Sequence, residues 1–315
     1  MDISRPEFVV EAQLVVESTV GGAVFGPAAH GWFVDGFAAL GGDLRQRLFA
    51  RPVPPGEVPG EKPWRGETGE VWADCAWGFD LRGDVHAYTD QVWQEFVSAL
   101  EWLPVYAAFS LFELERLSKY TVRPWFPRLR IRADTWLPEG DESRDEDPTW
   151  FGFKLDGSAG LLVGSPESER ALLALVRATA NLCGPAYGEI SAHLYGNPLH
   201  ETLLERALAL RNSDTIPRSR QVLRGYSWLT IVPQEIGDRL GGLAQLRATG
   251  AFVEVEPLTR GGYWLLATER FVDFTPERMA AVFRILAPVL PPGRPRAESH
   301  YEPYHLVLAD PREYA

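Results

Sequence analysis

Apolar residues that alternate with polar ones predict strands along much of the chain. The segments with the clearest alternation or β-branched content are 7–18, 70–81, 126–136, 150–155, 186–194, 226–232, 252–257 and 263–268. The last two flank the turn sequence TRGG, which predicts a hairpin and therefore antiparallel pairing.

Apolar residues that recur every three or four positions predict helices between these strands. The predicted helices are 88–101, 112–117, 166–183, 198–210, 234–247 and 276–289, with an interrupted helix over 33–50. Ser165-Pro166 and Thr275-Pro276 mark two of the starts, because a capping hydroxyl precedes a proline at the first helical position. The glycine-rich stretch 21–32 and the proline-rich stretch 51–69 are predicted to be loops.

This order of elements predicts an α+β fold, with mostly antiparallel sheet and packed helices. The similarity of WGFDLRG at 77–83 to FGFKLDG at 151–157 leaves two related halves possible. The sharpest change in composition divides the chain into an N-terminal α+β half (1–137), an acidic linker or loop (138–148) and a C-terminal α+β half (149–315). The two halves could instead share one continuous sheet.

Charge narrows the classes of partner. The chain has 315 residues, with 43 acidic against 31 basic ones and a formal net charge of −12. Such a surface repels a phosphate backbone, so we expect no nucleic-acid partner. The excess of acidic residues either keeps the protein soluble or complements the surface of a basic partner. It is densest in the acidic segment, which contains Glu139, Asp141, Glu142, Asp145, Glu146 and Asp147.

Neither a cofactor nor a metal site is predicted. Cys75 and Cys183 lack zinc spacing, no HExxH occurs, and no glycine-rich loop has the phosphate-binding pattern. The N-terminus lacks a signal-like apolar core, and the apolar stretch 102–112 is about half of what spans a bilayer. These features predict a cytoplasmic protein with no membrane contact.

Two kinds of chemistry remain open at this point. The 43 acidic residues could supply a pair of catalytic carboxylates, which only geometry can identify. The strand 126–136 places Arg128, Arg130 and Arg132 on one face, where they could bind an anion or simply pair with nearby acids.

Near the C-terminus the chain resembles a known family. The sequences that carry the resemblance are RGYSW (224–228), DRLGGLAQLRA (238–248), GGYWLLATE (261–269) and MAAVFRILAPVLPP (279–292). They are similar to the type VI immunity family of bacterial toxin-immunity proteins, first catalogued as a domain of unknown function. The resemblance lies mainly in about the last 100 residues of the chain.

The resemblance implies a non-catalytic protein that binds a cognate toxin, possibly a nuclease, and occludes its active cleft. The acidic segment would meet the basic surface of the toxin. Trp32 and Trp64 are added as predicted toxin contacts, because they lie beside glycines and prolines that hinder burial in a regular element. The alternatives are an enzyme with a carboxylate site and an anion- or ligand-binding module that uses the arginine strand.

Overall fold

The computed structural model describes residues 8–17, 22–50, 68–79, 83–102, 104–118, 121–136, 150–194, 200–296 and 306–314. In this part of the chain, ten strands form a single sheet in which every pair of neighbours is antiparallel. Helices pack against this sheet, so the predicted α+β fold is confirmed.

The strands are β1 (Phe8–Glu17), β2 (Val71–Gly78), β3 (Asp84–Ala87), β4 (Tyr106–Ser118), β5 (Thr121–Trp136), β6 (Trp150–Ser158), β7 (Tyr187–Leu194), β8 (Leu229–Val232), β9 (Glu254–Pro257) and β10 (Tyr263–Leu266). Their order across the sheet is β3-β2-β4-β5-β6-β1-β7-β8-β10-β9. β1 therefore lies between β6 and β7, and strands from both sides of 138–148 belong to one sheet. The two WGFDLRG-like segments occupy different positions, since one ends β2 and the other lies within β6.

The α-helices are α1 (Gly22–His30), α2 (Gly36–Leu40), α3 (Gly42–Ala50), α4 (Asp90–Ala99), α5 (Ala159–Leu162), α6 (Pro166–Cys183), α7 (Leu203–Leu208), α8 (Asn212–Thr215), α9 (Gln234–Arg239), α10 (Gly242–Ala248) and α11 (Pro276–Leu286). A π-helical turn (Gly31–Asp35) joins α1 to α2. Short 3-10 turns are Leu100–Trp102, Ile216–Arg218, Phe271–Asp273, Ala287–Val289 and Pro311–Glu313.

The apolar face of the sheet forms the core. Leu129 and Ile131 of β5 have no exposed surface and belong to the same cluster as Phe33 and Phe37 of the helical segment 22–50. Aromatic rings fill this layer, and the Phe37 ring lies 4.5 Å from that of Phe109 on β4. Burial of such side chains contributes about 2 kcal/mol each, which makes this face the main source of stability.

The segment 21–32 was predicted to be a loop, but most of it forms α1. Gly22, Gly26 and Pro27 oppose a helix, by about 1 kcal/mol for each glycine and about 3 kcal/mol for the proline. Phe25 nevertheless packs on Phe153 of β6, with ring centroids 5.5 Å apart. Burial of the apolar residues of α1 against the sheet offsets the poor local propensity.

Two further predictions were wrong in detail. The predicted helix 112–117 belongs to β4, because pairing with β5 fixes an extended backbone there. The predicted helix 234–247 is divided into α9 and α10 at Gly241, whose positive φ interrupts the helix. By contrast, the caps at Ser165 and Thr275 are confirmed, with side chains that accept hydrogen bonds from backbone N–H groups.

The close contact between α9 and β10 gives a stability prediction. A Cβ on Gly237 would lie 2.1 Å from a ring carbon of Tyr263, whose hydroxyl accepts a hydrogen bond from Gln234 and is thereby fixed. We expect Gly237→Ala to lower the free energy of unfolding by about 1–3 kcal/mol, measured by urea denaturation. Gly160→Ala is the matched control, since nothing lies within 4 Å of its added Cβ. Equal stability of the two variants would contradict the prediction.

Candidate functional site

The face of the sheet opposite the apolar core carries two adjoining rows of mostly polar side chains. Residues that oppose each other in antiparallel strands point to the same face, so the register defines the rows. The first row is Asp74, Ser110, Arg130, Asp156, Glu11 and Ser191. The second row is Arg132, Lys154, Gln13, Glu189 and Thr230. We call these eleven residues the polar rows.

Ion pairs hold the centre of the polar rows. Lys154 Nζ lies 2.8 Å from Glu11 Oε2, and neither side chain has exposed surface. Arg132 Nη2 lies 3.9 Å from Asp156 Oδ1, with about a tenth of each side chain exposed. Burial lowers the pKa of Lys154 and raises that of Asp156, because desolvation disfavours both charged forms, and neighbouring opposite charges oppose these shifts.

On the β7 side, the polar rows continue as neutral or weakly acidic groups. Gln13 Nε2 donates to Glu189 Oε1 at 2.7 Å, and Ser191 Oγ lies 3.0 Å from His193 Nε2. Burial raises the pKa of Glu189 to about 7, while hydrogen bonds from Gln13 and Tyr187 oppose the shift. Burial also lowers the pKa of His193 to about 3, so this imidazole is neutral at physiological pH.

A second buried network anchors the RGYSW segment. Arg224 binds Glu205 through two hydrogen bonds, Nε to Oε1 at 2.7 Å and Nη2 to Oε2 at 2.9 Å. Thr202 caps α7 and donates its hydroxyl to the Arg224 carbonyl. Tyr226 and Trp228 are buried, as expected for residues that pack the fold. This part of the resemblance is therefore a structural element and not a contact surface.

These carboxylates lie together, but most of them are enclosed. Glu11, Asp156 and Glu189 are buried, whereas a catalytic carboxylate has to contact its substrate. Asp74 is half-buried. Burial raises its pKa to about 6, and a hydrogen bond with Ser110 opposes this rise. The half-buried end of the first row, around Asp74 and Arg130, is where these groups meet solvent.

The three arginines of β5 have different surroundings. Arg128 is paired with Glu113, with Nη2 3.2 Å from Oε2. Arg132 is buried and faces Asp156, whereas Arg130 is half-buried and lies between Ser110 and Asp156 in the strand register. Arg130 and Arg132 point to the same face of the sheet, whereas Arg128 is the extra residue at a bulge between β5 and β4, so the three side chains do not form one uniform anion-binding stripe.

The predicted toxin contacts are placed as follows. Trp32 has no exposed surface and donates its indole N–H to the Arg132 carbonyl at 3.2 Å. A side chain without exposed surface offers nothing to a partner, so Trp32 is corrected to a core residue. Trp64 and the acidic residues Glu139, Asp141, Glu142, Asp145, Glu146 and Asp147 lie outside the described residues.

Two exposed aromatic residues instead belong to segments that adjoin one end of the sheet. Trp102 is 75% exposed and Phe79 is 59% exposed. Two acidic residues are exposed too: Glu101, directly before Trp102, and Asp84, which opposes Trp77 at the start of β3. Phe79 directly follows β2, whose last residue pairs with Tyr106 at the start of β4. Trp102 lies four residues before Tyr106. We call Phe79, Asp84, Glu101 and Trp102 the strand-end surface.

The strand-end surface was missed from the sequence because Trp102 begins the apolar stretch 102–112, which favours burial. The exposure of Trp102 could have been predicted from its neighbour Glu101, because an acidic residue at the end of a predicted helix is usually solvated. The Trp136–Trp150 pair lies at the same end of the sheet, because β5 ends and β6 begins there. The strands that flank the acidic segment in sequence therefore end and begin at this end of the sheet.

Comparison with known proteins bears on the fold. The structure is similar to the T6SS protein PA0821 of Pseudomonas aeruginosa, with a TM-score of 0.55 and 12% sequence identity. The match covers 96% of this chain and 78% of that one. No family model matches the sequence, and no curated protein matches it. At this identity the similarity shows a shared fold with a protein described as belonging to a type VI system.

Among the described residues, no group of three or more His, Cys, Asp or Glu side chains is arranged to hold a metal ion. The described helices include none with both the length and the apolar character needed to cross a bilayer. Cys75 and Cys183 are buried free thiols, and burial raises the pKa of Cys183 to about 12.

The central ion pair gives a second stability prediction. Lys154→Met leaves Glu11 buried without its cation, so we expect a loss of about 3–5 kcal/mol in the free energy of unfolding. The double variant Glu11→Gln/Lys154→Met removes both charges and should recover a large part of that loss. Urea denaturation of the wild type, both single variants and the double variant measures the coupling. Additive effects would contradict the prediction.

Glu189 predicts a specific pH dependence. Its pKa is raised from 4.5 to about 7, so the folded state holds a proton that the unfolded state has lost over this range. Ionisation of Glu189 therefore costs the wild type stability as pH rises through this window. Glu189→Gln cannot ionise, and its stability relative to wild type should rise by about 3 kcal/mol between about pH 4.5 and about pH 8. Denaturation curves with parallel pH dependence would contradict this assignment.

Proposed function

We propose that this chain is an immunity-type protein that binds a toxin with a basic surface and blocks its active cleft. The observation that carries the proposal is the strand-end surface, where Trp102 and Phe79 expose aromatic rings next to acidic residues. Exposed tryptophan is the side chain that most often dominates binding energy at protein interfaces. The neighbouring charge selects a basic partner.

The distribution of charge also supports toxin binding at the strand-end surface. β5 ends and β6 begins at the end of the sheet where Phe79 follows β2, and the acidic segment lies between these two strands in sequence. Its six acids stand against one arginine, within a chain of net charge −12. A toxin that acts on nucleic acid presents a positive cleft, and such a cleft attracts this end of the molecule over a distance set by the salt concentration.

Burial of the polar rows favours binding over catalysis as the activity. The carboxylates at the centre of the rows are enclosed and hold ion pairs and hydrogen bonds. A substrate could reach them only after the pairs were broken, which is costly for buried charges. The shared fold with a T6SS protein agrees with a role in a type VI system, and the resemblance of the last 100 residues points to immunity within it.

The exposed tryptophan gives a direct test. Trp102→Ala should weaken toxin binding by about tenfold to a hundredfold, because a truncated central tryptophan typically costs 2 kcal/mol or more. The chain and the product of its neighbouring toxin gene are titrated by calorimetry. Leu182→Ala, which truncates a 43% exposed leucine on α6, is the control and should bind as the wild type does. A Trp102→Ala variant with unchanged affinity would locate the interface elsewhere.

Charge reversal gives an independent test. Asp145→Lys, Glu146→Lys and Asp147→Lys together should slow association with the toxin about tenfold at low salt and change dissociation little. Stopped-flow kinetics at several salt concentrations measures this, and the difference should shrink as salt rises. Co-expression with the toxin tests the whole proposal. Failure to rescue growth, together with no stable complex, would remove the immunity function.

A further inference from the structure

The two edges of the ten-stranded sheet differ in whether their outer backbone groups are covered. β9 lies at one edge and β3 at the other. In an antiparallel pair, successive residues direct their N–H and C=O groups alternately towards the partner strand and away from it. A hydrogen bond next to each edge strand therefore shows which of its residues face outwards.

The outer edge of β9 is closed. The Leu258 N–H donates to the Gly262 carbonyl, so the residues of β9 that face outwards are Val255 and Pro257. The Val255 carbonyl accepts a hydrogen bond from Arg247 Nε of α10 at 3.0 Å. Pro257 has no N–H group. A further strand at this edge would have to displace Arg247 and would find no donor at Pro257.

The outer edge of β3 is open around Val85. The Tyr88 N–H donates to the Ala73 carbonyl of β2 at 2.9 Å, so the residues of β3 that face away from β2 are Val85 and Ala87. Val85 is 48% exposed, whereas Ala87 is 8% exposed and packs beside Trp72. Among the described residues, none hydrogen-bonds to the outward N–H and C=O groups of Val85. Val85 therefore presents one donor and one acceptor in strand geometry.

The surroundings of Val85 restrict what can pair with it. Backbone pairing is the same for most sequences, so neighbouring charges decide which extended segment binds. Asp84, directly before Val85, is exposed, and so is Asp90 at the start of α4. A second copy of this chain would bring two molecules of net charge −12 together at these acids, whereas a basic segment meets opposite charge. β3 has only four residues, and short, charged edge strands resist indiscriminate pairing.

We propose that the toxin docks by adding an extended, basic segment of its own to the edge of β3 at Val85. The segment pairs with the Val85 N–H and C=O groups, and its basic side chains meet Asp84. Asp84 also belongs to the strand-end surface, so the added strand continues the interface assigned to that surface. This inference rests on the proposed function and specifies how the same partner binds.

Hydrogen exchange measured by NMR on the full chain tests the edge and its occupant in turn. In the free chain, the Val85 amide should exchange at least about tenfold faster than the His86 amide, because only His86 faces β2. In the complex with the product of the neighbouring toxin gene, exchange at Val85 should slow by about tenfold or more. A Val85 amide that is already slow in the free chain, or that stays fast in the complex, would overturn the proposal.

Val85→Pro tests the outward N–H directly. Proline is tolerated in an edge strand where the N–H faces solvent, so pairing with β2 should persist. Toxin affinity in calorimetry should fall by about tenfold or more, because a hydrogen bond is lost and the ring obstructs the added strand. Val85→Thr is the matched control, since it keeps the N–H and the branched side chain, and it should bind within about threefold of the wild type.

The outcomes separate this docking mode from the immunity function itself. A folded Val85→Pro variant that binds the toxin as the wild type does, or equal losses in both variants, would overturn strand addition while leaving toxin binding intact. A wild-type chain that forms no complex with the toxin would instead remove the proposed function. Circular dichroism checks the fold of each variant, and if Val85→Pro does not fold, hydrogen exchange of the wild type decides alone.

Discussion

A lysine and a glutamate buried in the middle of the sheet impose the constraint on which the rest of the structure depends. Lys154 on β6 and Glu11 on β1 have no exposed surface, and an unpaired charge in that position would be costly. β1 must therefore lie beside β6 in one register. A shift of β1 by one residue would turn Glu11 into the apolar face and leave Lys154 buried without its partner.

The same register separates the two faces of the sheet. Leu129 and Ile131 face the helices, while Arg130 and Arg132 face the polar rows, so a single strand serves both sides. β7 extends the polar rows through Glu189 and Ser191, and the pair of Arg224 with Glu205 anchors the C-terminal part beside it. Burial of polar groups with partners stabilises one arrangement of strands, because any other leaves some of these groups unpaired.

The solvent exposure of the polar and aromatic side chains bears on which functions this molecule can perform. The enclosed groups of the polar rows, such as Glu11 and Glu189, fix the register, and the same enclosure makes them poor catalysts. The strand-end surface exposes Trp102 and Phe79 and suits a protein.

Local sequence determined the features that depend on neighbouring residues. The alternation in 126–136, the caps at Ser165 and Thr275 and the hairpin around TRGG all appear in the structure as expected. The acidic composition, and with it the expectation of a basic partner, also came from the sequence alone.

Tertiary structure decided the features that depend on residues far apart in the chain. Packing against Phe153 made a helix of the glycine-rich α1, and pairing with β5 made a strand of 112–117. Burial of Trp32 against β5 and β6 and the alignment of Arg130 with Asp156 likewise depend on which strands are neighbours. Strand order and register arise from the joint burial of many distant residues, and no local pattern encodes them.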